Sequence, residues 1–108
     1  MASYLLFESR DPFEFADVPL HCALAARLAR EGNEVTLFLV QNGVLAARQS
    51  EGSRALQPLT AAGVRIVADA FSLHERGIPA SRMALGVAVA ELEVAIDALI
   101  TGCKALWL

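Results

Sequence analysis

The chain is 108 residues long, 56% apolar and 19% charged, with a net charge of −3. That length allows one domain, and an apolar content above the roughly 45–50% of ordinary soluble domains excludes disorder. A chain this short hides only about 65% of its unfolded surface, so part of the apolar excess is expected at a subunit interface.

Ser3 to Glu8 reads as a strand whose apolar residues follow one another without alternation, as in a strand covered on both faces. Arg10-Asp11-Pro12 ends it. Asp17 is the expected N-cap of a helix that tolerates Pro19 in its first turn and runs to about Glu31. Leu20, Leu24 and Leu28 recur every four residues and form its expected buried stripe. Gly32-Asn33 signals its end. Glu34 to Val40 is the second strand, followed by a turn at Gln41-Asn42-Gly43 and a short helical turn from Val44 to Arg48. Gln49 to Ser53 is loop-like in composition. A helix from about Arg54 to Ala62, whose start Pro58 can delay, stops at Gly63, and Val64 to Ala68 is the third strand.

Met83 to Ile100 divides into two elements. Gly86-Val87-Ala88-Val89 has β-branched residues at spacing two and suits a short fourth strand. Glu91 to Thr101 is then a helix with Leu92, Ala95, Ile96 and Leu99 on one face, stopped by Gly102. Lys104 to Leu108 is a terminal strand. Strands alternating with helices imply a parallel α/β sheet with helices on both faces.

In an open parallel sheet, ligands sit outside the carboxyl ends of the strands. That selects Ser9-Arg10-Asp11, Gln41-Asn42-Gly43 and Asp69 to Gly77. Ser9, Asn42, Gly43, Asp69, Ser72 and Arg76 are the ligand-binding candidates, for a small anionic or polar ligand. Asp69, His74 and Arg76 are the catalytic ones. Asp69 would accept a proton or hydrogen bond, His74 would shuttle a proton, and Arg76 would clamp an anion by paired hydrogen bonds. Against these stand plainer roles: Asp69 capping the next helix, His74 and Glu75 solvated, Gly77 in a turn, and Asn42-Gly43 as a turn rather than an anion cradle. No triad order surrounds Ser72. No Gly-rich phosphate loop is present, and no cofactor is called for.

Cys22 follows His21 near the start of the first helix, where a reactive thiolate competes with simple packing. Cys103 precedes the terminal strand, at the wrong end of the sheet, and reads as structural. Neither cysteine forms a metal-ligand pattern with His21 or His74. Two unpaired thiols and the absence of a signal-peptide pattern point to the cytoplasm. The nine basic residues, eight of them Arg, are scattered along the sequence, which argues against nucleic acid. The longest apolar run, Met83 to Ala90, is too short to span a membrane.

The order of elements resembles the DsrE/DsrF-like family, including its TusD-type sulfur-relay subunits. The resemblance rests on Arg30-Glu31-Gly32-Asn33-Glu34-Val35 leading into an apolar strand, then Asn42-Gly43-Val44, then Ala62-Gly63-Val64-Arg65-Ile66-Val67. A loop ending Glu75-Arg76-Gly77-Ile78 and an apolar terminal strand complete it. It covers nearly the whole chain. It implies a three-layer α/β/α domain with a five-stranded, mainly parallel sheet, assembling as a homo-oligomer (trimer or hexamer) or with related subunits. Relay members carry a persulfide on a cysteine seven residues before the Arg of Arg-Gly. Counting back from Arg76 places that position at Asp69, with Ser72 where some members have a second cysteine. A carboxylate cannot form a persulfide. The resemblance therefore implies a scaffolding or small-ligand-binding member, with a divergent enzyme or a carrier through Cys22 as the alternative.

Overall fold

The computed structural model describes residues 2–11, 15–48 and 51–108. Pro12 and the Gln49-Ser50 part of the loop-like stretch lie outside them. Five strands form one sheet: β1 (Ser3–Glu8), β2 (Glu34–Leu39), β3 (Arg65–Asp69), β4 (Val87–Ala90) and β5 (Lys104–Trp107). Their order is β4-β3-β2-β1-β5, and every pairing is parallel. The helices are α1 (Val18–Arg30), α2 (Gln57–Ala61), α3 (Ala70–Glu75) and α4 (Glu93–Ile100). The expected terminal and fourth strands are therefore present, and the third begins one residue later than its pattern, at Arg65.

Successive residues of each central strand enter opposite cores, which explains the unbroken apolar runs. Leu6, Leu37, Leu39 and Ile66 pack with Ala25 and Ala26 of α1 and Leu59 of α2. Leu5, Phe7, Phe38, Val40 and Val67 pack with Ala95 of α4. The fold is thus a three-layer α/β/α sandwich, with α1, α2 and Leu73 of α3 on one face and α4 on the other. Fully burying a side chain such as Leu37 or Phe38 stabilises by roughly 1.5–3 kcal/mol.

The expected seats of α1 and α4 are corrected. Leu20 is 68% exposed and Leu24 is also exposed. Val18, Ala25 and Ala26 are buried instead, with Cys22, Leu28 and Ala29 partly so. On α4 only Ala95 is buried, flanked by Val94 and Ala98, while Leu92, Ile96 and Leu99 are exposed. Alanine lets a helix backbone ride close to the sheet. The larger side chains then lie outside the line of contact.

Asp17 occupies the expected position before α1, but its side chain caps nothing and lies 3.6 Å from Arg10. The turn after β2 is a 3-10 helix spanning Gln41–Ala47, longer than the sequence pattern suggests. Glu51–Leu56, expected as part loop and part helix, is also 3-10, which leaves α2 one turn long. All four helices end alike. In each, the residue after the glycine donates to a carbonyl five residues back, as in Asn33 to Leu28 and Ile78 to Leu73. The glycines, Gly32, Gly63, Gly77 and Gly102, all have positive φ.

Candidate functional site

The carboxyl ends of β2 and β3 are joined by side chains. Asp69 ends β3 and caps α3. Its Oδ2 accepts from the Ser72 amide at 3.0 Å and from the Ser72 hydroxyl at 2.6 Å. The Ser72 hydroxyl in turn accepts from the Gln41 amide at 2.8 Å, and Gln41 is held at φ +51°. One turn further on, Arg76 donates from Nε and Nη2 to Asn42 Oδ1 at 3.0 and 2.9 Å, and from Nη1 to the Ser72 carbonyl. Four of the sequence candidates, Asn42, Asp69, Ser72 and Arg76, therefore meet in one network.

Beside this network lies an open cleft of about 430 Å³. Asp69, Ser72, Glu75 and Arg76 form its polar side; Phe7, Val40, Phe71, Leu92 and Trp107 form its apolar side. Phe7 and Trp107 stack with ring centres 5.2 Å apart, and Trp107 remains 63% exposed. The cleft can hold a small molecule with an apolar body and a polar end. Asp69 itself is only 7% exposed, and its Oδ2 is committed to Ser72.

Other candidates lie apart. His74 is exposed and does not line the cleft, so it does not converge with Asp69 and Arg76 as a proton shuttle would. Ser9 lies at the end of β1, 3.5 Å from the Leu108 carbonyl, and does not line the cleft either. Gly43 is buried and its N–H donates to the Val40 carbonyl at 2.9 Å, so the Gly43 amide is already used within the chain. Its reason is steric: a Cβ on Gly43 would stand 2.0 Å from the Glu8 carbonyl oxygen.

The sequence reading missed a second polar pair. Glu8, 2% exposed at the end of β1, accepts hydrogen bonds from His21 Nδ1 and from the Arg10 amide. The available signal was a carboxylate closing an otherwise apolar strand, which needs a partner when buried. Cys22 sits beside this pair and is mostly buried. Burial, and secondarily the Glu8 carboxylate, push its thiol up to about 11, so at neutral pH it is a thiol rather than a thiolate. It lines a groove between α1 and α2, across the sheet from the cleft. Cys103 is partly buried against the α4-side core, at the amino end of β5. Among the described residues, no three His, Cys, Asp or Glu side chains converge to share a metal ion. No helix among them is long and apolar enough to cross a membrane.

No curated protein matches the chain. Solved structures do. The ychN protein from E. coli superposes with a TM-score of 0.89 at 20% identity over 100% of both chains. MTH1491, a protein of unknown function from Methanobacterium thermoautotrophicum, gives 0.82 at 20% identity over 99% of this chain and 98% of that one. BT1422, a conserved protein of unknown function from Bacteroides thetaiotaomicron, gives 0.80 at 18% identity over 98% and 94%. These likenesses are of fold. The family model settles membership: the DsrE/DsrF-like family matches residues 3–108, and the chain belongs to it.

Proposed function

We propose that this chain is a DsrE-like subunit of a cytoplasmic oligomer, linked to sulfur handling, that scaffolds or binds a small polar ligand and does not carry sulfur itself. The observation that carries the reading is Asp69. It stands where the family resemblance puts the persulfide cysteine, and its carboxylate is used internally by Ser72. Neither thiol compensates. Cys22 lies across the sheet with its pKa raised, and Cys103 lies at the amino end of β5. The cleft beside Asp69 is the ligand site in this reading, with Arg76 and Ser72 at its polar side and Phe7, Phe71 and Trp107 against the body of the ligand. The exposed apolar residues of α4 support the oligomer.

The test is sulfur loading. The native protein is treated with polysulfide, desalted and weighed by mass spectrometry with and without reductant. No reductant-labile sulfur is expected on the wild type. The Asp69→Cys variant, handled identically, is expected to retain it. Labile sulfur on Cys22 or Cys103 of the folded wild type would overturn the non-carrier reading. A folded Asp69→Cys variant that stays unloaded would overturn the assignment of position 69.

A further inference from the structure

The eight arginines are scattered in the sequence, yet three of them gather in space. Arg48, Arg76 and Arg82 line one cavity of about 390 Å³, completed by Gly77, Ile78 and Pro79. No carboxylate lines it. In a chain of net charge −3 this is a local reversal of sign. Three like charges facing one cavity repel each other, and an anion placed among them removes that cost.

The Arg76 guanidinium, and the backbone segments that carry the other two arginines, are held in place before any ligand arrives. The hydrogen bonds of Arg76 to Asn42 and the Ser72 carbonyl occupy three of its five N–H groups, leaving one on each terminal nitrogen. Arg48 pairs antiparallel with Met83, the residue after Arg82, and the Ala84 amide donates to the Ala47 carbonyl at 2.7 Å. The segments carrying Arg48 and Arg82 are thereby stitched together.

We infer that this cavity binds a phosphate monoester of a small organic molecule. Guanidinium groups match phosphate oxygens with paired, charge-assisted hydrogen bonds. The volume is that of a small-molecule site. Ile78 and Pro79 give the organic body an apolar wall. The cavity shares only Arg76 with the cleft at Asp69, so it is a separate site.

The experiment is calorimetric titration of the whole protein, in its native assembly, with inorganic phosphate and with phenyl phosphate at constant ionic strength. Saturable binding is expected, tighter for phenyl phosphate. Arg48→Ala and Arg82→Ala should each weaken it about tenfold or more, the loss of a charge-assisted pair of bonds. Arg30→Ala, on α1 and remote from this cavity, should leave it within about twofold, the scale of general charge screening. Circular dichroism checks that the variants fold. If Arg48→Ala does not, Arg82→Ala decides alone, since Arg82 sits on an exposed turn. Absence of saturable binding overturns the site, as does equal weakening in Arg30→Ala or no weakening in Arg82→Ala. Equal affinity for the two probes overturns the organic ester as ligand. None of these outcomes depends on the sulfur-loading result, because Arg48 and Arg82 do not line the Asp69 cleft.

Discussion

The Ser72 hydroxyl donates to Asp69 Oδ2 at 2.6 Å, with both residues buried, while it accepts from the Gln41 amide at 2.8 Å. Ser72 thus holds the end of β2 to the end of β3 through one oxygen. Ser72→Ala leaves the Gln41 amide and part of the Asp69 carboxylate without partners. A buried polar group left unsatisfied costs about 1–3 kcal/mol. Urea unfolding should therefore show a loss of about 2 kcal/mol or more. A loss under about 0.5 kcal/mol, the range of neutral surface changes, would mean that the network contributes little to holding the strand ends.

Gly43 gives a steric prediction. Its absent Cβ would stand 2.0 Å from the Glu8 carbonyl oxygen and 2.9 Å from its carbon, both backbone atoms that cannot rotate away. Gly43→Ala must push the 3-10 helix off the end of β1. Overpacking of this kind costs about 1–3 kcal/mol, and the upper end is expected here. Gly63→Ala is the comparison, because nothing lies within 4 Å of that position and only its positive φ opposes the change. Thermal melts of the two variants should rank Gly43→Ala as the less stable.

How far these features were legible in the sequence depends on the kind of contact. β1 was legible to the residue, because its last four positions are buried on alternating faces and Tyr4 to Phe7 form an unbroken apolar run inside it. The division of Met83 to Ile100 was legible from Gly86 and the β-branched Val87 and Val89. The seat of α1 was not. Leu20 and Leu24 dominate any hydrophobic pattern, yet Ala25 and Ala26 make the contact, because close approach selects small side chains. The Asp69–Ser72 cap was readable as a local pattern three residues apart. The Arg76–Asn42 contact spans 34 residues and the Glu8–His21 contact 13, and only the fold brings those partners together.

Cys22 predicts a pH dependence. Its thiol has an ordinary value of 9.0 and is raised to about 11 in the folded protein, chiefly by burial and secondarily by Glu8. The folded state therefore holds this proton more tightly than the unfolded state. The resulting stability is complete below about pH 9 and is lost as pH rises toward 11. Two pKa units would be worth about 2.7 kcal/mol, and partial exposure of the sulfur lowers the expected loss to about 1–2 kcal/mol. Other groups titrate in the same window, so the measurement is the difference between wild type and Cys22→Ala in urea unfolding at pH 8 and pH 10.5. The wild type should lose more. Iodoacetamide should label native Cys22 slowly at pH 7.5 and faster as pH rises. Rapid labelling of the native protein at pH 7.5 would contradict the raised value.

The face of α4 carries the last prediction. Leu92, Ile96 and Ile100 recur every four residues and form one stripe. All three are exposed, Ile100 at 77%. The helix is anchored to the sheet through Ala95, with Val94 and Ala98 beside it, so this stripe is surplus to the folding of the chain. It continues into the aromatic side of the cleft, because Leu92 and Trp107 line the same opening. Leaving such a stripe in water forgoes roughly 25 cal/mol for each Å² that a partner could cover. A second copy of the chain would cover it, and stable interfaces bury about 800 Å² on each side. Light scattering after size exclusion should give the mass of a trimer or hexamer for the wild type at micromolar concentration. The double change Ile96→Glu and Ile100→Glu should give a smaller species with an unchanged far-ultraviolet spectrum, because neither side chain belongs to the core. A wild-type monomer would remove the assembly from the proposed function. An unchanged mass in the folded double variant would move the interface to another surface with exposed apolar side chains, such as the Leu20 and Leu24 side of α1.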